Sequence, residues 1–237
     1  MIESLKTLIE RVIDVLFTDG RHIMLLNGLR LTVIISLCSV IIGIVLGTIV
    51  AVVKVAHQNY QKSVALKILN LIVTVYVQVI RGTPTVVQLL IMNFVIFASS
   101  RSPVVVAILC FGINSGAYVS EIMRAGINAV DYGQTEAGRS LGLSAFETMK
   151  SIVLPQAVKN ILPALGNEFI VLLKETSIAG YISIQDLTKA GDLIRFATFE
   201  AFIPLITVAL IYLVMVLGLS KLLSIFERRL AKSDNRH

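Results

Sequence analysis

Residues 31–53, LTVIISLCSVIIGIVLGTIVAVV, hold no charged side chain. The stretch is longer than the ~20 apolar residues a helix needs to cross a bilayer, so it reads as a transmembrane helix. The rest of the chain agrees. Of 237 residues, 56% are hydrophobic and 15% charged, and the mean hydropathy is +0.84. A soluble domain carries roughly a quarter charged residues and less than half apolar ones. That balance excludes a soluble globular enzyme, a disordered tail and a nucleic-acid binder. The formal net charge of +6 then reflects basic loops on one side of a membrane rather than a nucleic-acid surface. Trp is absent, so any aromatic belt is built from Tyr and Phe.

Four more apolar stretches follow: 64–79, resuming to 97 after Arg81-Gly82-Thr83-Pro84; 103–123; 161–181; and 201–225. Pro84 lacks an N–H and disfavours helix at Thr83, so a kink or break is expected there. The chain is thus expected to be an all-α polytopic membrane protein of about five spans, or six if residues 81–84 form a loop. Ahead of the first span, Leu5, Leu8, Ile9, Val12, Ile13 and Leu16 recur at helical spacing among charged residues. This suits an amphipathic helix lying on the membrane surface, with a partner-binding helix as the alternative. Glu3, Glu10 and Asp14 do not suit a signal peptide. The expected division is an interfacial helix at 1–22, a transmembrane domain at 23–226 and a basic tail at 227–237.

Basic residues orient the chain. Lys54, Lys62, Lys67, Arg124, Arg139, Lys150, Lys159, Lys221, Arg228, Arg229, Lys232 and Arg236 fall on one side, against Lys6, Arg11, Arg21, Arg101, Lys174, Lys189 and Arg195 on the other. The positive-inside bias puts the N-terminus outside and the C-terminus in the cytoplasm.

The cytoplasmic stretch 131–155 is not linker-like. Ser144 to Glu147 has the S-x-x-E form of a capping box, and Gly142 suits the left-handed end of a preceding helix. Helix, turn, helix is expected, either as a knob for a partner's groove or as a solvated connector. Glu136-Ala137-Gly138, three residues, Gly142, nine residues, then Ile152-Val153-Leu154-Pro155 resembles the EAA motif of ATP-binding-cassette (ABC) importer permeases. Their pattern is E-A-A, three, G, nine, I-x-L-P. Gly138 replaces the second alanine, a change worth about 1 kcal/mol to a helix. Arg81-Gly82-Thr83-Pro84 with Gln88, Ser115-Gly116-Ala117-Tyr118 with Glu121 and Arg124, and residues 172–177 (LLKETS) are similar to the polar amino acid uptake subfamily. The similarity runs from about residue 25 to 225.

The resemblance implies a type I importer permease in a bacterial inner membrane. It implies a homodimer or a heterodimer with a related permease, an extracellular solute-binding protein and an amino-acid substrate. The coupling loop (Glu136, Ala137, Gly138, Gly142, Ile152, Leu154, Pro155) would insert into a cytoplasmic ATPase subunit. No G-x-x-x-x-G-K-[ST] segment occurs, so ATP and magnesium are expected on that partner and no cofactor on this chain. The chain is expected to transport rather than catalyse. Its substrate, whether cationic, glutamine- or glutamate-like, or cystine-like, stays open.

Glu168 is an ionisable residue inside a span and so a functional candidate. Pro163, Gly166 and Asn167 before it would allow a locally opened helix. Its carboxylate would bind a substrate ammonium or a cationic side chain, or else pair with Lys174 or Arg81. Asn167, Asn114, Gln88, Asn93 and Thr176 are candidates for the path, each with an interhelix hydrogen bond as the alternative. Gly43-x-x-x-Gly47 and Gly112-x-x-x-Gly116 read as helix packing, and Cys38 and Cys110 as small packed hydrophobes. A stand-alone secondary transporter or channel is the competing function, favoured only by helix breaks near Pro84 and Pro163.

Overall fold

The computed structural model describes residues 2–59 and 63–234. Lys62, Arg236 and His237 lie outside the described residues, as do the side chains of Leu5, Leu8 and Lys232. The elements are helices α1 (Ile2–Phe17), α2 (Arg21–Asn59), α3 (Val64–Gly82), α4 (Thr85–Ile91), α5 (Pro103–Asn128), α6 (Tyr132–Ser140), α7 (Ala145–Thr148), α8 (Leu154–Glu175), α9 (Leu187–Thr198) and α10 (Phe202–Asp234). A π turn extends α4 over Met92–Ile96, another joins α7 to α8 over Met149–Val153, and a 3-10 segment, Thr176–Ile182, follows α8.

Among the described residues, four stretches are long and apolar enough to cross a membrane: Ile9–His57, Val64–Gly82, Pro103–Asn128 and Phe202–Leu230. The fifth expected span is α8, whose 22 residues reach about 33 Å at 1.5 Å per residue. Lys159, Glu168, Lys174 and Glu175 keep it from being equally apolar. It also runs unbroken through Pro163, so the local opening expected there is absent. Gly166 serves a different purpose: a Cβ on it would lie 2.5 Å from Leu223 Cδ1 of α10. Gly166 is a point of close approach rather than a break.

α2 and α5 form the central pair. Lipid tails are as apolar as leucine, so helices in a bilayer associate through close packing more than through water exclusion. Both glycine pairs meet at this seam. A Cβ on Gly47 would sit 2.5 Å from Val119 Cγ1, and one on Gly112 would sit 2.7 Å from Ile42 Cγ2. Ser39 Oγ adds a bond across the seam to the Ile108 carbonyl at 3.1 Å. Ile35, Ala107, Cys110 and Phe111 form a buried core with Leu89 of α4 and Leu172 of α8. α3 lies outside this pair and buries only Val77 among its described residues.

α1 is separated from α2 by a turn in which Asp19 and Gly20 both adopt positive φ. Arg21 closes this turn, donating to the carbonyls of Asp14 and Val15 at 3.3 Å. Val12, Val15 and Leu16 pack against Leu187 and Ala190 of α9 and Ile203 and Val208 of α10. Ile9, Ile13 and Phe17 stay exposed. α9 was not expected: no helix was read between the fourth and fifth apolar stretches, yet Asp186 caps one there by accepting from the N–H groups of Thr188 and Lys189.

Candidate functional site

Two polar sites stand out, one beside the middle of α5 and one at the α6–α7 end. The first begins at the expected break. Thr83 (φ −123°, ψ 147°) and Pro84 (φ −64°, ψ 134°) are extended, which frees carbonyls at the end of α3. Freed backbone groups inside a membrane must find partners within the protein. Thr83 Oγ1 donates to the Val79 carbonyl at 2.8 Å. Gln88 Nε2 donates to the Ile80 carbonyl at 2.7 Å, the Thr83 carbonyl at 3.1 Å and Thr83 Oγ1 at 2.8 Å. Gln88 Oε1 in turn accepts from Asn114 Nδ2 at 3.0 Å. Asn114 lies midway along α5, so the break sits beside the middle of that helix. Arg81 stacks over the ring of Tyr118, 5.4 Å from its centroid.

The next residue on α5, Ser115, reaches the other way and donates to Glu168 Oε1 at 2.8 Å. Asn114 and Ser115 thus tie α4 and α8 to the same point of α5. Among the described residues, no ion pair joins Glu168 to Lys174 or Arg81. Of the expected path residues, Gln88, Asn114 and Glu168 are brought together around α5. Asn167 is exposed beside Glu168, and Asn93 lies in the π turn beyond α4. Thr176 is buried beyond the end of α8 and donates to the Leu173 carbonyl at 2.8 Å.

At the other site, α6 starts on Asp131, whose side chain accepts from the Gly133 N–H at 2.7 Å. It ends on Gly142 at φ 86°. The Leu143 N–H bonds the Gly138 carbonyl and the Gly142 N–H bonds the Arg139 carbonyl, a Schellman ending that wants glycine at this position. The capping box forms as expected: Ser144 N–H donates to Glu147 Oε2 at 2.7 Å and Glu147 N–H to Ser144 Oγ at 3.2 Å. Those bonds to Ser144 hold the Glu147 carboxyl below the usual carboxylate range. Leu154 opens α8 with Pro155 in its first turn, where a missing N–H costs nothing. Gln156 donates back to Gln134 Oε1 at 3.3 Å.

The hairpin points its large apolar groups outward. Leu141 is 82% exposed, Tyr132 73% and Phe146 72%, with Glu136 and Ala137 also exposed. Gly138 instead faces inward, where a Cβ would lie 2.8 Å from both Ile152 Cδ1 and Thr148 Cγ2. Two further groups were not singled out in pairs by the sequence. Glu121 of α5 accepts from Lys54 of α2 at 2.8 Å and from Arg124 at 2.6 Å. On α9, Asp192 accepts from Lys189 at 3.1 Å and Arg195 at 2.6 Å, and these cations hold its carboxyl down. The i,i+3 spacing is the one signal that pointed to the α9 pairs and to Arg124; Lys54 is too distant in sequence to show one.

With this geometry in place, comparison with known proteins is specific. The arginine transport system permease protein ArtQ of Bacillus subtilis is 38% identical over 213 residues, spanning 89% of this chain and 94% of its own. The glutamine transport system permease protein GlnP of Escherichia coli K12 is 35% identical over 211 residues, spanning 87% and 93%. A crystal structure of an amino acid ABC transporter with histidines shares 45% identity at a TM-score of 0.79, covering 87% of this chain and 94% of that one. An inward-facing MetNI methionine ABC transporter shares the fold at a TM-score of 0.74 with 17% identity. Residues 43–232 match the family described as the inner membrane component of binding-protein-dependent transport systems. By these matches the chain belongs to that family, as a multi-pass inner-membrane protein.

Proposed function

We propose that this chain lines the translocation path of an ATP-driven importer of amino acids, and that its substrates are cationic. The relatives are named for arginine and for glutamine, so names alone leave a cationic and a neutral option. The observation that favours the cationic one is Glu168. Its carboxylate sits beside the middle of α5, bonded to a neutral hydroxyl and to no cation among the described residues. A carboxylate in a membrane interior is costly and marks a substrate or ion path. A guanidinium or ammonium from the substrate would supply the missing charge. Glu175 lies on the same face of α8, two turns along, or about 10 Å, and adds a second acid toward the α9 end.

The α6–α7 hairpin serves as the coupling knob. Tyr132, Leu141 and Phe146 offer apolar contact, Glu136 the polar anchor, and the Gly142 turn keeps the two helices at a fixed angle. A separate ATPase subunit holds ATP and magnesium and drives alternating access by closing against this knob. A second copy of the chain, or a related permease, completes the path. A solute-binding protein delivers substrate at the α9 end. That end faces outside, with the N-terminus, while Lys54, Arg124, Arg139 and Lys150 mark the cytoplasmic end. Family membership favours this reading over a stand-alone secondary transporter.

The test is equilibrium binding to the purified permease–ATPase complex without the binding protein. Arginine is compared with citrulline, its neutral near-isostere. The wild type should prefer arginine, and Glu168→Gln should abolish the preference. Equal affinities in the wild type, or an unchanged preference in Glu168→Gln, would remove the cationic assignment.

A further inference from the structure

Hydroxyls inside membrane helices commonly bond a carbonyl of their own helix. Ser36, Thr48, Thr83 and Thr176 do so here. Ser115 departs from that pattern and spends its proton on a carboxylate of another helix, Glu168 Oε1 at 2.8 Å. Ser115 is fully buried, and what stands behind it restricts where its hydroxyl can go. Gly43 of α2 faces it, and a Cβ there would lie 2.7 Å from Ser115 Oγ and 2.8 Å from Ser115 Cβ. The bare α-carbon of Gly43 is therefore a notch that seats Ser115, with its hydroxyl turned toward α8. Glu168 Oε2 takes no hydrogen bond among the described residues.

We propose that Ser115 is a positioning residue, seated by Gly43, that anchors one oxygen of the Glu168 carboxylate so that the other is presented in a fixed direction to the cationic group of the substrate. The proposal rests on the reading of Glu168 as the cation contact. A carboxylate on a three-torsion side chain samples several rotamers when nothing holds it. Pinning one oxygen removes that freedom before the substrate arrives, and a charge-assisted bond has the strength to do so. Selectivity for a cation over a neutral isostere should then depend on Ser115, although Ser115 carries no charge.

The experiment measures arginine and citrulline binding to the permease–ATPase complex in Ser115→Ala, Ser115→Cys and Glu168→Gln, with thermal unfolding of each variant alongside. Ser115→Ala removes one oxygen and keeps the α2–α5 seam. It should reduce the arginine-over-citrulline preference about tenfold, the size expected for one hydrogen bond to a charged group. Ser115→Cys, a weaker donor of similar size, should recover part of it. Gly43→Ala, which keeps the hydroxyl but fills its seat, should shift the preference the same way. If Glu168→Gln abolishes the preference while Ser115→Ala leaves it at the wild-type value, the positioning role is overturned and the Glu168 reading stands. If Ser115→Ala weakens both ligands equally, the hydroxyl is merely structural and the proposal is also overturned. If Glu168→Gln itself changes nothing, the Glu168 reading falls.

Discussion

Placing alanine at position 138 should destabilise the α6–α7 hairpin, although alanine is the better helix former. Gly138→Ala gains about 1 kcal/mol of helix propensity. Against this, the new Cβ would lie 2.8 Å from Ile152 Cδ1, 2.8 Å from Thr148 Cγ2 and 3.1 Å from Thr148 Oγ1. The tip of Ile152 can rotate away. Thr148 cannot: it is 1% exposed and β-branched, with restricted χ1 in a helix. Overpacking of this kind costs about 1–3 kcal/mol, so the net expectation is a loss of about 1 kcal/mol. Thr148→Ala in the same chain moves a methyl group from one side of the contact to the other. Thr148 Oγ1 is buried without a hydrogen-bond partner, so little is lost with it, and the double variant should match or exceed the wild type. A thermal-unfolding double-mutant cycle on the purified permease–ATPase complex reads both, with a coupling of about 1–2 kcal/mol expected between neighbours. A higher melting temperature for Gly138→Ala alone, with strictly additive effects, would refute the packing argument.

Three other outcomes follow from the same geometry. Glu136→Ala and Gly142→Asp should lower substrate-stimulated ATPase activity of the assembled complex, the second by straining a left-handed turn by about 1 kcal/mol; wild-type coupling in both would contradict the knob assignment. Glu121→Leu strands Lys54, which is 16% exposed, and should cost about 2 kcal/mol in thermal stability, whereas Glu121→Leu with Lys54→Met should cost less because no buried charge is left unpaired. Glu147 has its carboxyl lowered by Ser144, so its cap is fully present above the ordinary glutamate pKa and fails as pH falls through that value into the lowered one. Amide exchange at Ser144, normalised for intrinsic rate, should show this acid-side opening in the wild type and lose the pH dependence in Glu147→Gln.

Much of the fold was legible because a bilayer forces one answer. Residues 31–53 carry no charge and must be helix if they cross. The ends of that helix were not legible: α2 runs over Arg21–Asn59, continuing past the apolar core through Arg30 and Lys54, where hydropathy gives no signal. The α6–α7 hairpin was readable down to its caps because Ser144, Glu147 and Gly142 act on near neighbours. The Ser115–Glu168 bond was not readable, since its partners lie 53 residues apart and only packing of α5 on α8 brings them together. Gly43, Gly47, Gly112 and Gly116 announced close packing by spacing, yet nothing in the spacing said that the two pairs face each other. α9 was missed because its twelve residues include Lys189, Asp192 and Arg195 and mimic a loop; Asp186 as a helix-capping acid was the available clue.

Labelled arginine uptake into proteoliposomes asks whether this chain moves cationic amino acids only when an ATPase drives its α6–α7 hairpin. The permease is reconstituted with its ATPase and binding protein, with ATP or a non-hydrolysable analogue enclosed on the ATPase side, and in parallel alone. The proposed function calls for uptake only in the complete system with ATP. Uptake by the permease alone, or uptake in the complete system unaffected by ATP hydrolysis, would contradict it.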